Sequence, residues 1–235
     1  MKGEDNMEKV CMIAHRGYSG KYHENTELAF EKAAEHRSGG AETDIRVTRD
    51  GVLVCSHNAT VAFRDGSELS VSENSFAALA ARPLKNVKTN DEVYLCTFRR
   101  YLEIMKRHDM ICFIELKDVF SDEQEQSVMD TIAKTYDVSK CILQSFEFDN
   151  LVRIHRAWPE LPLMFTYGTA QRGYERCFEY GFSIDADQYV VTEEMVRDFH
   201  RHNLEVGVWT CNTEESLNRC RALGVDYIES DVFGG

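Results

Sequence analysis

An eightfold alternation constrains this chain more than any other feature. Short apolar runs fall at residues 10–16, 41–47, 111–117, 141–146, 162–167, 182–188, 205–210 and 225–231. Runs of this length, bounded by turn residues, read as buried parallel strands. Helical signals separate them. Asn25 or Thr26 caps a segment running to about His36, with Phe30, Ala33 and Ala34 inward. Phe98, Tyr101, Leu102 and Met105 fall at helical spacing, and Ser121 with Gln124 forms a capping box. Leu151, Ile154 and Trp158 mark a further helix, and so do Tyr174, Cys177 and Phe178 ahead of Gly181. Met195, Val196 and Phe199 follow Thr192, and Leu217, Cys220 and Leu223 lie between Thr213 and Gly224. Parallel neighbours need a crossover, and a helix supplies it. The pattern predicts an α/β fold, a (β/α)8 TIM barrel, with a doubly wound open sheet as the structural alternative. A length of 235 residues suits one barrel domain over 1–235, with little or no final helix. A short insertion over about 59–95 reads as irregular, with one helix near 75–81 and a loop over 83–91.

Composition narrows the partners. The net charge of −13 argues against nucleic acid and anionic membranes. It also hinders an anionic substrate, unless positive charge is concentrated at the site. The first ten residues, MKGEDNMEKV, are acidic with no apolar run, so they do not read as a signal peptide. No apolar stretch of about 18 residues predicts membrane insertion. None of the 8 cysteines pairs as CxxC, and most sit in apolar patterns. They read as small core residues in a reducing cytoplasm.

The second strand and its returning hairpin carry the chemistry. Glu42 and Asp44 are two apart on a strand, so they share a face. Arg49-Asp50-Gly51 signals a turn, and residues 52–56 return as a strand that brings His57 back beside the two carboxylates. Two ionised carboxylates about 4 Å apart repel by roughly 4 kcal/mol at an effective dielectric of 20. A proton or a divalent cation relieves that repulsion. In such barrels the site gathers at the C-terminal strand ends. Those ends supply His15 and Arg16, Glu42 and Asp44, Glu115 and Lys117, and Trp209. Gln144, Asp187 and Gln188 lie there too and read as interior hydrogen bonders. Glu42, Asp44 and Glu115 offer oxygen ligands for one hard cation, Mg²⁺ or Ca²⁺. Arg16 and Lys117 suit a phosphate, with structural ion pairing as the alternative. His15 and His57 suit acid–base work. Trp209 reads equally as barrel filler or as a wall for the substrate. The remaining histidines, at 23, 36, 108, 155, 200 and 202, read as solvent-facing. Together these groups suit phosphoester cleavage.

The segments IAHRGYSG…ENT, ETDIRVTRDGVLVCSHN and FIELK, followed by SF, VWTCN and GVDYIESD, resemble the glycerophosphodiester phosphodiesterase family, within the phospholipase-C-like phosphodiesterases. The resemblance spans roughly residues 10–232. It implies a TIM barrel with one divalent cation held by Glu42, Asp44 and Glu115. It implies His15 and His57 as general acid and base, and Arg16 and Lys117 as phosphate holders. The implied reaction hydrolyses glycerophosphodiesters, small molecules of lipid and glycerol metabolism, to glycerol 3-phosphate and an alcohol. Related enzymes use a neighbouring substrate hydroxyl through a cyclic phosphate, and that route stays open here. A lysophospholipid substrate and a non-catalytic phosphate-binding barrel are the alternatives. Two positions depart from the family pattern. Asn58 stands where Asp usually follows the second histidine, and His23 stands where Pro often precedes the ENT stretch.

Overall fold

The computed structural model describes residues 10–232. The expectations for the N-terminal leader and for the absence of a final helix rest on residues outside that range. Eight parallel strands close into a barrel among the described residues: β1 (Cys11–Ala14), β2 (Gly40–Val47), β6 (Ile111–Leu116), β7 (Cys141–Ser145), β8 (Leu163–Tyr167), β9 (Ser183–Asp187), β10 (Val206–Trp209) and β11 (Tyr227–Ser230). Closure comes from β1, which pairs with both β11 and β2. This settles barrel against open sheet. Gly40 serves that closure. A Cβ there would lie 2.6 Å from the Ile111 carbonyl oxygen and 2.8 Å from Ile13 Cδ1. A side chain would therefore wedge β2 away from its neighbours.

The helices are α1 (Glu27–Glu35), α3 (Phe98–His108), α4 (Asp122–Thr135), α5 (Phe148–Ala157), α6 (Arg176–Tyr180), α7 (Glu193–Arg201) and α8 (Glu214–Leu223). Thr26, Ser121, Thr192 and Thr213 cap α1, α4, α7 and α8 as expected, and the Ser121–Gln124 capping box is formed. Thr26, not Asn25, caps α1, and this frees Asn25 for the site. The main core fills the space between barrel and helices. There Phe30 meets Tyr101 edge to face at 4.8 Å, and the Tyr101 hydroxyl donates to the Ala41 carbonyl at 2.6 Å. A pair of this geometry adds about 0.5–1.5 kcal/mol beyond its buried area.

Inside the barrel, Ile13, Phe113, Ile142 and Met164 form a separate apolar floor. Side chains alternate along a strand, so the next inward positions are His15, Glu115, Gln144 and Thr166. A polar layer thus sits directly on an apolar one, at the end where the strands point.

Strand β3 (Leu53–Cys55) returns antiparallel along β2, as the Asp50-Gly51 turn requires. The insertion is more regular than its sequence suggests. Strands β4 (Thr60–Ala62) and β5 (Glu68–Ser70) form an antiparallel hairpin, followed by α2 (Phe76–Ala80). Three-residue strands are too short to display alternation, but Asp65-Gly66 repeats the turn signal of Asp50-Gly51. Val61, Phe63, Val71 and Leu79 of this segment form an apolar cluster with Val54 of β3. All eight cysteines are free thiols, seven of them buried. No helix of the described residues is long and apolar enough to cross a membrane.

Candidate active site

Glu42 and Asp44 project inward from β2, and Glu115 projects from β6 beside Asp44 in register. One oxygen of each lies within 4.8 Å of the others, and all three residues are buried. Glu42 Oε1 has no hydrogen-bond partner. Asp44 Oδ1 makes no aligned hydrogen bond either, although Lys117 Nζ stands 3.1 Å away. Buried carboxylate oxygens left without donors cost free energy unless a cation compensates them. An all-oxygen set of this kind fits a hard divalent ion.

Two cations stand beside the carboxylates. Lys117 Nζ donates to Glu115 Oε1 at 2.7 Å. Arg16 Nε lies 3.2 Å from Asp44 Oδ2, and its Nη1 donates to Glu24 at 3.2 and 3.3 Å. Arg16 adopts a left-handed backbone, φ 55°, which turns its own N–H onto Glu42 Oε2 at 2.8 Å. Asn25, also left-handed, donates to Asp44 Oδ2 at 2.7 Å and accepts from the Thr43 hydroxyl at 2.8 Å. Non-glycine residues held at positive φ store strain that surrounding contacts must offset. Here those contacts are the site itself.

His15 sits just past β1. Its Nδ1 lies 2.6 Å from Asp231 Oδ1, and the Asn212 amide donates to Asp231 Oδ2 at 2.6 Å. Ser19 Oγ lies 2.8 Å from Asp231 Oδ1. Burial pushes the Asp231 carboxyl up, but the bonds from His15, Ser19 and Asn212 hold it well below the usual carboxylate range. An ionised Asp231 only accepts, so His15 carries a proton on Nδ1, and in its neutral form the lone pair is on Nε2.

His57 returns on the hairpin, half-buried, with Nδ1 3.1 Å from Asn58 Oδ1. Burial lowers its pKa below the ordinary value, since Asn58 brings no charge to oppose desolvation and the nearby Asp44 only partly does so. Arg46 fixes this loop. Its Nε and Nη2 donate to the His57 carbonyl at 3.1 and 2.8 Å, and its Nη1 donates to both Asp118 oxygens at 2.7 and 2.8 Å. If His57 needs that fixed position, Arg46→Ala will lower kcat/KM by on the order of 10- to 100-fold. Steady-state kinetics on the folded variant measure this, and an unchanged kcat/KM would show that the loop is held otherwise.

The electrostatics of the carboxylates are unequal. Burial pushes Glu42 well above the usual range, and Asp44 beside it adds to the effect. Burial pushes Glu115 up to about 7 despite Lys117. For Asp44 the burial penalty is outweighed by Lys117 and Arg16, and its pKa falls. Asp44 therefore holds its charge most firmly.

Near these three lie groups that sequence reading missed. Asp185 on β9 and Glu229 on β11 are buried in the barrel interior, and burial raises both carboxyls well above the usual range. Neither Asp185 oxygen has a partner. Gly207 makes room for Asp185, since a Cβ there would lie 2.7 Å from Asp185 Oδ1. Gln144 is interior as expected and donates to Glu229 Oε1 at 3.3 Å. Asp187 instead closes the turn after β9, accepting from the Tyr189 N–H at 2.8 Å. Gln188 lies outside the carboxylate cluster, where its amide donates to the Thr210 carbonyl and accepts from Arg219 at 3.0 Å. Trp209 donates to the Asp185 carbonyl at 3.1 Å and meets Phe146 edge to face at 5.7 Å. Lys117 Nζ lies 5.8 Å over the Phe146 ring. Two minor expectations fail: His23 and His155 are half-buried, not solvent-facing. His23 lines a cavity of about 170 Å³ between barrel and insertion, together with Glu24, Asn25, His57, Asn58 and Glu68.

The sequence pattern of the glycerophosphoryl diester phosphodiesterase family matches residues 15–234. The chain belongs to that family. A glycerophosphodiester phosphodiesterase of Caldanaerobacter subterraneus is 25% identical over 230 residues, covering 95% of this chain and 94% of the relative. One from Bacillus subtilis is 24% identical and covers 93% and 82%. Among solved structures, a putative member from Galdieria sulphuraria superposes with TM-score 0.84 at 19% identity, covering 97% and 96%. A phosphodiesterase of Oleispira antarctica, solved with its product sn-glycerol-3-phosphate, superposes with TM-score 0.79 at 20% identity, covering 94% and 92%. Family members share the hydrolytic chemistry of the phosphodiester bond.

Proposed function

We propose that this phosphodiesterase is a single catalytic domain that hydrolyses glycerophosphodiesters to glycerol 3-phosphate and an alcohol, using one Mg²⁺ or Ca²⁺. The observation that carries this reading is the convergence of Glu42, Asp44 and Glu115, with unpartnered oxygens, beside His15. These three residues would hold the ion, which when bound supplies Lewis-acid charge to the phosphoryl oxygens. Arg16 and Lys117 turn from their carboxylate partners toward the substrate phosphate. His15, with its tautomer fixed by Asp231, and His57, with its loop fixed by Arg46, form the acid–base pair. One takes the proton from the attacking oxygen and the other gives one to the leaving alkoxide. Phe146 and Trp209 wall the glycerol, and the cavity beside His57 receives the headgroup. Free thiols throughout favour a cytoplasmic location.

The test couples released glycerol 3-phosphate to a dehydrogenase, across several headgroups, with Mg²⁺ or Ca²⁺. Turnover on at least one diester, lost on chelation, is expected. No signal above a His15→Ala control would overturn the reading. A lysophospholipid substrate is the second reading. Val119 and Tyr189 favour it, since both are well exposed on loops at the face that carries the site. A mouse lysophospholipase D, 29% identical over 67% of this chain, also favours it.

Asn58 supplies a pH prediction. Asn58→Asp places a carboxylate on His57 Nδ1, which favours the imidazolium and raises the His57 pKa. The limb of the kcat/KM profile belonging to His57 then moves to higher pH. A superimposable pair of profiles would remove His57 from the titrating groups.

A further inference from the structure

We infer that the barrel interior holds a second, inhibitory cation site for a Zn²⁺-class metal, built from His15, Glu42 and Glu229. A ring nitrogen of His15 and one oxygen from each of the two carboxylates lie within 4.8 Å of one another. The geometry is ready for a metal in three respects. His15 Nδ1 is spent on Asp231 at 2.6 Å, which leaves Nε2 as the donor. An imidazole oriented by a carboxylate on its other nitrogen is the usual support of a metal-bound histidine. Glu42 has two oxygens and belongs to both carboxylate groups, so it can bridge two ions, and its Oε1 is buried without a partner.

A separate observation points to a ligand at this place. Gln144 is 1% exposed and donates from Nε2 to Glu229, while its own Oε1 has no partner. Both Asp185 oxygens, fully buried, are also unpartnered. Five buried carboxyl groups thus share the barrel interior with two cations, Arg16 and Lys117. The two sites differ in chemistry. Glu42, Asp44 and Glu115 are all oxygen and suit Mg²⁺ or Ca²⁺, whereas nitrogen plus two carboxylates suits Zn²⁺. Zinc on Nε2 removes the free lone pair of His15, so occupancy stops proton transfer. The inhibition, unlike the binding, rests on the role proposed above for His15.

Equilibrium dialysis of metal-stripped protein, with metal analysis of both chambers, tests the site without turnover. Wild type is expected to hold two Zn²⁺ per chain, and Glu229→Gln one. With saturating Mg²⁺, added Zn²⁺ inhibits wild type, and the variant needs at least about 10-fold more. His15→Asn gives an independent loss of the second Zn²⁺ should Glu229→Gln misfold. One Zn²⁺ in wild type, fully displaced by Mg²⁺, overturns the inference. Two ions in both wild type and His15→Asn overturn it equally, since they then bind elsewhere. An inactive protein that takes up two Zn²⁺ and loses one in the variants leaves the site standing and removes only the proposed function.

Discussion

Replacing His15 by alanine is expected to lower kcat by about 10²- to 10⁴-fold, the usual contribution of one general acid or base. The substitution should leave the fold intact. His15 lies past the end of β1, and the strand is held by its ladders to β2 and β11. Asp231→Asn is the companion variant, because it removes the charge that fixes the His15 tautomer while leaving the imidazole in place. It should lower kcat by less than His15→Ala and change KM little. Single-turnover measurements on a glycerophosphodiester, at saturating metal, separate the chemical step from binding. A His15→Ala protein with wild-type kcat would show that protons move through other groups.

Loss of the cation is the second large effect. Chelation, or Glu42→Gln, should lower turnover by on the order of 10³-fold, corresponding to about 4 kcal/mol of transition-state stabilisation. Glutamine preserves size and can still accept from the Arg16 N–H, so the change is mainly one of charge. Stability gives an independent readout. A metal at 100 times its Kd stabilises the folded state by about 2.7 kcal/mol. Mg²⁺ or Ca²⁺ should therefore raise the Tm of wild type, where it relieves repulsion among Glu42, Asp44 and Glu115, and raise that of Glu42→Gln much less. Full activity in excess chelator, with no metal-dependent Tm shift, would sink the assignment of these residues.

Particular residues show how far the sequence could be read. Glu42, Asp44, His57, Glu115 and Lys117 were legible because strand alternation and one Asp-Gly turn act over a few residues. The barrel was legible for a similar reason: each βα unit carries its own caps and apolar face. Asp231 was not legible as the partner of His15, because the two are 216 positions apart and meet only when β11 pairs with β1. Asn25 and Thr26 both read as candidate helix caps; Thr26 takes that role, and only the fold shows Asn25 holding Asp44. Arg46 carries no sequence signal for its role, because its partner, the His57 carbonyl, is brought to it only by the hairpin.

The sequence by itself determined the eight strands with helices between them, the family and the candidate residues for binding a cation and moving protons. Those properties depend on local periodicity and on side-chain chemistry, which travel with the chain. Only the tertiary structure decided that the sheet closes, that Asp185 and Glu229 lie buried near the carboxylates, and that His15 Nδ1 is engaged by Asp231. Each of these is a long-range outcome of barrel closure. Charge repulsion, desolvation and tautomer depend on what stands a few ångströms away, and closure alone sets those neighbours.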